Sequence, residues 1–257
     1  MTEEKLRYLV DYLLDEMPQY RDDSRNITDP HILLRSLMNL RVPGRELPPD
    51  FLRVQDEYLS AMREARGVVD GETLPEIVPG ISLWKGDITR LKCGAIVNAA
   101  NSLLLGCFIP CHRCIDNAIH SAAGLQLRDE CYSLMNTQGH EEPTGRAKIT
   151  RAYNLPSAHV IHTVGPFVGG ELTEEHCREL EGCYRSCLEC AEDNGIRSLA
   201  FCCISTGEFH FPNDEAAKIA VRTVRDFMRG THTVSKVIFC VFKDYDCELY
   251  GEELRHD

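Results

Sequence analysis

Downstream of Gly71 the chain alternates short apolar segments with helical patterns, and this alternation limits the available folds more than any other feature of the sequence. Ile81 to Lys85, Ala95 to Asn98, Ala147 to Thr150, His159 to Val164, Ser198 to Ile204 and Lys236 to Phe242 read as strands. Asp116 to Ala123, Glu174 to Glu192 and Asn213 to Met228 carry helical spacing between them. Strands interleaved with helices bury their apolar faces by setting a sheet between helical layers, so an α/β fold is expected. The helix from Glu174 aligns Leu180, Cys183, Tyr184, Cys187, Leu188 and Ala191 on one face. Its cysteines read as core residues, because no His or second cysteine pair completes a metal spacing there.

The first 70 or so residues have a different texture. Leu6, Leu9, Val10, Leu13, Leu14 and Met17 form an apolar stripe at three- and four-residue intervals with charges opposite, the pattern of an amphipathic helix. A second helix is expected after Asp29-Pro30 and a third near Asp50, with Val54, Tyr58 and Met62 on one face. No catalytic motif lies in this segment, which reads as a packing or interaction extension. Gly and Pro gather between Gly71 and Pro79. The expected organisation is a helical N-terminal extension over 1–75, an α/β domain over 76–250 and a C-terminal tail over 251–257.

Charge and cysteine content narrow the function. Twenty-eight Lys and Arg against 40 Asp and Glu give a formal net charge of −12, which argues against non-specific binding to nucleic acid or anionic membrane. A single anionic ligand stays open, since a few aimed hydrogen bonds of about 1.5 to 3 kcal/mol each outweigh screened distant charge. The 13 cysteines follow an acidic N-terminus without a basic leader, and no apolar run reaches spanning length. Reduced thiols in a cytoplasmic setting are therefore expected.

Residues 106 to 120 read GCFIPCHRCIDNAIH and bring Cys107, His112 and Cys114 within eight positions. Three soft ligands suit zinc, and a set of three is the number found in catalytic sites, which keep one position open. The alternative is a group of thiols that only pack. Cys111 is the weaker candidate for a fourth ligand, because neighbours in an extended segment face opposite ways.

Four further segments fall at strand ends, where α/β sheets bind ligands. These are Gly86 to Thr89, Ile96 to Asn101 with its two asparagines, His162 to Pro166, and Ile204 to Pro212. The last places Ser205, Thr206 and Gly207 ahead of a helix, an arrangement suited to cradling phosphate. Phe209 and Phe211 either flank a sugar or base or simply pack. His162 alone reads as a satisfied core histidine.

Together these four ordered motifs resemble the macrodomain family, over about residues 76 to 250. The loop from Cys107 to His120 resembles the narrower zinc-dependent class, with the pattern Cys-Phe-x-Pro-x-His-x-Cys-Ile-Asp-Asn-x-Ile-His. The resemblance implies a three-layer α/β/α domain with a mixed central sheet that binds ADP-ribose. It implies that Asp87 accepts from the adenine amino group near Ile88, and that Ser205, Thr206, Gly207, Glu208 and Phe209 surround the diphosphate. Asn101 would face the distal ribose. Cys107, His112 and Cys114 would hold one zinc ion beside it, with Ile115 and Asp116 next on the loop.

The implied activity is zinc-dependent removal of mono-ADP-ribose from a modified protein, as an Asp or Glu ester. Asn101 would fix the ribose and Asp116 would orient water or act as general base, unless Asp116 instead caps the helix at Asn117. By the same resemblance the recipient is a lipoyl-carrier protein modified by a sirtuin-type transferase. A non-catalytic reader with structural zinc and an O-acyl-ADP-ribose deacylase are the alternatives. His210 departs from the family, where Gly is common at that position.

Overall fold

The computed structural model describes residues 2–256. Among the described residues three long helices open the chain: α1 Thr2–Glu16, α2 Pro30–Leu40 and α3 Pro49–Arg66. Asp29 caps α2 by accepting from the His31 and Ile32 N–H groups, and Pro30 occupies the first helical position, where its missing donor costs nothing. The apolar stripe of α1 meets Leu34, Leu37 and Met38 of α2 and Phe51 and Tyr58 of α3 in a core of their own. Among the described residues, Leu125 is the one buried residue from beyond the N-terminal helices in that cluster.

The second part is built on β1 Glu76–Val78, β2 Ile81–Lys85, β3 Ala95–Ala100, β4 Ala147–Arg151, β5 His159–Val164, β6 Ser198–Phe201 and β7 Lys236–Val241. Interleaved with them are α4 Ile115–Ala123, α5 Leu125–Gln138, α6 Glu174–Asp193, α7 Asn213–Met228 and α8 Asp244–Arg255. The seven strands lie in the order β1-β2-β7-β6-β3-β5-β4. The five inner strands are parallel and both edge pairings are antiparallel. This is the expected three-layer α/β/α arrangement with a mixed sheet. Strands covered on both faces read as near-continuous apolar runs, and β6 and β7 are buried at every position.

Several boundaries differ from the sequence expectation, each for a local reason. β6 stops at Phe201 rather than Ile204, because the chain leaves the sheet at Cys202 to enter the loop before α7. α5 was not foreseen: its buried face contains Arg128 beside Leu125, Leu127 and Cys131, so the apolar stripe is interrupted. The segment from residue 251, expected as a tail, is the end of α8. Leu254 is buried there, and Arg225 donates to the carbonyls of Leu254 and His256 at 2.7 and 2.5 Å. Ahead of β1, Val69–Asp70 already pairs with Leu91–Lys92. Among the described residues no helix is long and apolar enough to cross a membrane.

Because the five inner strands run parallel, their carboxyl ends share one edge. The turn after β2, the loop from β3 to α4, the turn after β5 and the loop from β6 to α7 all emerge there. The fold thereby collects the four motifs at one edge of the sheet, where α/β proteins bind ligands.

Candidate functional site

The loop from β3 to α4 carries the soft ligands. Cys107, His112 and Cys114, each partly buried, point ligand atoms that all lie within 4.8 Å of one another. Cys107 Sγ stands 3.6 Å from His112 Nδ1. Tetrahedral zinc with its usual bond lengths separates a sulfur and a nitrogen ligand by about 3.5 Å, so the donor set fits that ion. The other ring nitrogen, His112 Nε2, lies 3.7 Å from Glu208 Oε1. A carboxylate behind a ligating imidazole fixes which nitrogen faces the metal. Burial, opposed by the Asn117 N–H, pushes the Cys114 thiol up to about 12, so a cation is needed to hold it as thiolate.

Cys111 turns away from this cluster. Its Sγ lies 3.4 Å from Ser36 Oγ and 3.6 Å from the Ile32 carbonyl, both on α2. The reason is not strand-like alternation. Cys111 has φ +52° in a turn closed by His112 N donating to Ile109 O at 3.2 Å. Cys114 is the N-cap of α4, its sulfur accepting from Asn117 N at 3.4 Å. Asp116 lies inside the first turn and leaves the capping to Cys114.

The Asp116 carboxylate is 5% exposed. Its Oδ1 accepts from Asn98 Nδ2 at 2.8 Å and its Oδ2 from Asn101 Nδ2 at 3.3 Å. Burial pushes its pKa up to about 6, against the pull of Asn98 and Arg128. Asn101 in turn donates to Gly106 O at 3.2 Å and accepts from Leu103 N at 3.1 Å. Both asparagines at the end of β3 are thus tied to one acid, and Asn101 is held at the head of the cysteine loop. Ile115, the first residue of α4, is partly buried in the main core.

Beneath Asp116 lies a sealed polar cluster. His162 Nδ1 is 3.1 Å from Asn98 Nδ2, its Nε2 2.9 Å from Thr150 Oγ1, and Cys131 Sγ 3.8 Å from Nε2. His162 is the satisfied core histidine that the sequence indicated. His120 lies 3.5 Å from Asp116 Oδ1. Burial lowers His162 to about 4 and lowers His120 well below its ordinary value.

This cluster makes the fold acid-sensitive. A histidine depressed in the folded state binds its proton in the unfolded chain first, so stability falls as pH drops from about 6.5 toward 4. From pH 7 to 5 the His162 contribution is a loss of about 2 kcal/mol. His120 adds to it, while the raised Asp116 opposes it below about pH 6. Urea melts of wild type and His162→Gln at pH 7 and 5 are expected to show the smaller loss in the variant.

The loop from β6 to α7 closes on itself through Phe211 N to Ser205 O at 3.0 Å and His210 N to Gly207 O at 3.1 Å. Ser205 and His210 both have positive φ, +63° and +56°. His210 therefore takes the left-handed conformation that glycine adopts without cost, and the loop keeps its closed shape despite the substitution. Thr206 Oγ1 donates to Cys203 O at 3.3 Å, Gly207 has open space around it, and Glu208 reaches toward His112. Phe209 meets Phe167 edge-on at 5.9 Å, and its carbonyl accepts from Val168 N at 2.9 Å. Phe211 is 1% exposed and simply packs.

After β2, Asp87 caps a single turn. Its Oδ1 accepts from Thr89 N and Oγ1 at 2.9 and 2.7 Å, and its Oδ2 faces Arg66 of α3 at 3.5 Å. Ile88 beside it is buried. Gly165, in the turn after β5, was noted in the sequence only as part of a strand end. A Cβ built there would lie 2.0 Å from Ser205 Oγ, so the turn and the β6–α7 loop touch backbone to side chain.

Comparison with known proteins agrees with this architecture. The Macro domain family matches residues 97–220. A protein-ADP-ribose hydrolase of Treponema medium is 48% identical over 98% of this chain and 99% of its own length. Another protein-ADP-ribose hydrolase, from Staphylococcus aureus strain MSSA476, is 44% identical over 96% of each chain. The crystal structure of a Trypanosoma brucei macrodomain in complex with ADP-ribose superimposes with a TM-score of 0.67 at 31% identity, over 83% of this chain and 94% of that one. The chain belongs to the macrodomain family.

Proposed function

We propose that this chain is a zinc-dependent hydrolase that removes mono-ADP-ribose from modified protein side chains, with an Asp or Glu ester as the bond cut. The observation that carries the reading is the meeting of three groups at one edge of the sheet: the Cys107, His112 and Cys114 ligand atoms, the Asn101–Asp116 pair, and the Ser205 to Phe209 loop joined to them through Glu208. The name protein-ADP-ribose hydrolase on relatives covering nearly the whole chain supports it, as does ADP-ribose bound to the Trypanosoma brucei macrodomain.

Cys107, His112 and Cys114 would hold zinc, which when bound supplies Lewis-acid polarisation and activates water at neutral pH. Ser205, Thr206, Gly207, Glu208 and Phe209 surround the diphosphate, and Asp87 with Ile88 receives the adenine. Asn101 holds the distal ribose in register with the ester. Asp116 fixes the Asn101 amide, and as the acid beside the expected ribose position it takes a proton as water adds. Hydrolysis returns a free carboxylate on the protein and releases ADP-ribose. The setting is the cytoplasm, and the recipient is a lipoyl-carrier protein modified by a sirtuin-type transferase, as the family resemblance implies.

A fourth ligand from Cys111 would favour the reader alternative, whereas the engagement of its sulfur with Ser36 and Ile32 favours the enzyme. Deacylation of O-acyl-ADP-ribose presents the same ester, and comparing rates on that small ester and on modified protein separates the two substrates. The test of the active centre is Asn101→Ala. We expect a loss of about a hundredfold in turnover, the scale of misplaced reacting groups, with ADP-ribose affinity changed far less. Release of ADP-ribose from a mono-ADP-ribosylated protein and calorimetric binding measure the two; wild-type turnover would overturn the assignment.

A further inference from the structure

The N-terminal helices carry no catalytic motif, yet one face of α2 is committed to the cysteine loop. Ile32, Arg35, Ser36 and Asn39 recur at three- and four-residue intervals and form one stripe. The neighbouring Leu34, Leu37 and Met38 are buried in the core shared with α1 and α3. Every member of this stripe contacts the loop or the start of α4, Ile32 through its carbonyl and the others through their side chains. Arg35 Nη2 donates to Asn117 Oδ1 at 2.7 Å and to the His112 carbonyl at 3.4 Å, and Arg35 Nε donates to the same Asn117 oxygen at 3.2 Å. Asn39 Oδ1 accepts from Cys111 N at 2.9 Å, and its Nδ2 donates to Ser121 Oγ at 3.0 Å. Ser36 and the Ile32 carbonyl hold the Cys111 sulfur.

One of these contacts leads to a metal-ligand atom, and two others reach the backbone at His112 and just before it. Asn117, gripped by Arg35, presents its N–H to Cys114 Sγ at 3.4 Å and its Nδ2 to the Ile109 carbonyl at 3.0 Å. Arg35 thus orients the residue that braces one ligand sulfur and the loop before His112, and it also touches the His112 carbonyl. Asn39 holds Cys111 in its left-handed conformation, immediately before His112. The helix is itself anchored: Arg128 of α5 donates to the carbonyls of Met38, Asn39 and Arg41 at 3.0, 2.9 and 2.7 Å. With Asn39 1% exposed and Arg128 3% exposed, these bonds form away from water, where they are strong and costly to leave unmade.

We propose that α2 is a working part of the metal site, with Arg35 and Asn39 as positioning residues that hold His112 and Cys114 in zinc-binding geometry. This rests on the reading of Cys107, His112 and Cys114 as zinc ligands. It gives the N-terminal segment a role beyond packing: the loop is shaped from outside the sheet that carries it.

The test measures zinc affinity of the full chain by competition with a chromophoric chelator, for wild type, Arg35→Ala, Asn39→Ala and Arg63→Ala. Arg63 of α3 donates to the Asn154 carbonyl at 3.0 Å and so ties the helical segment to the rest of the chain without touching the loop. Arg35→Ala and Asn39→Ala are expected to bind zinc about 10- to 100-fold more weakly, the usual cost of removing a group that orients a metal ligand. Arg63→Ala is expected to keep wild-type affinity. Metal-free melting temperatures of Arg35→Ala and Arg63→Ala, which each lose a tie between the two parts, should fall together. Wild-type zinc affinity in Arg35→Ala would overturn the proposal and leave the metal site standing, and so would an equal loss in Arg63→Ala. Absence of zinc binding by the wild type would overturn the metal reading itself.

Discussion

His112→Ala is expected to release ADP-ribose from a mono-ADP-ribosylated protein about a hundredfold or more slowly than the wild type, and to be purified without zinc. The expectation follows from the number of donors. With Cys111 turned to α2, the loop offers zinc two sulfurs and one nitrogen, and removing the nitrogen leaves a two-point hold. His112 also meets Glu208 of the β6–α7 loop at 3.7 Å, so the substitution loosens the contact between the metal loop and the expected diphosphate loop. Cys107→Ala should fall to a similar rate. The double variant should lose little more, because residues that act as a unit are not additive. Cys190→Ala, a half-buried thiol on α6 far along the chain from the loop, serves as the control for general effects of thiol removal. Elemental analysis and turnover decide the matter together. Full turnover in both ligand variants would sink the zinc mechanism and leave the ADP-ribose cleft untouched.

What the sequence made legible was whatever is encoded by short-range periodicity or by a compact motif. The helices of the extension, the strand His159–Val164 and the helix Asn213–Met228 fall where their spacing predicted. The soft-ligand cluster was visible because its members lie within eight positions. Features that depend on partners distant in sequence stayed hidden. Arg128 looks like a surface charge in a helix of mixed character, yet it is buried because three carbonyls from the end of α2, nearly 90 residues earlier, receive it. Arg35 and Asn39 look like the polar side of an amphipathic helix until the loop at Cys111 to Asn117 is laid against them. α8 was missed for a related reason: Asp246 is buried in its first turn because Asn213 donates to it at 2.6 Å, and Gly251 interrupts its middle. Apolar pattern predicts which face is buried only when burial is apolar.

Gly165 exemplifies the same limit and supports the second large prediction. Nothing in the strand end His162 to Pro166 marks it as more than a turn, but an added methyl would lie 2.0 Å from Ser205 Oγ and 2.9 Å from Ile204 Cγ2. Real contacts never come so close, so in Gly165→Ala the Ser205 and Ile204 side chains must shift, and the loop from β6 to α7 that carries them is pushed with them. Overpacking of this kind costs about 1 to 3 kcal/mol, and the displaced segment is the one expected to surround the diphosphate. We expect ADP-ribose affinity to fall tenfold or more, in keeping with about 1.4 kcal/mol for each factor of ten. Adding Ser205→Gly removes the hydroxyl that collides, and it suits the positive φ of that position. The double variant Gly165→Ala/Ser205→Gly should therefore be more stable than Gly165→Ala alone, and a double-mutant cycle on melting should give a coupling of about 1 kcal/mol or more. Calorimetry on the same four proteins separates shape from chemistry. Recovery of ADP-ribose binding in the double variant means that Gly165 acts only by leaving room for the loop. Binding that stays lost while stability returns assigns the Ser205 side chain a direct part in holding the ligand. Full ADP-ribose affinity and wild-type melting in Gly165→Ala would overturn the prediction, since the Ser205 side chain would then turn aside without disturbing the loop.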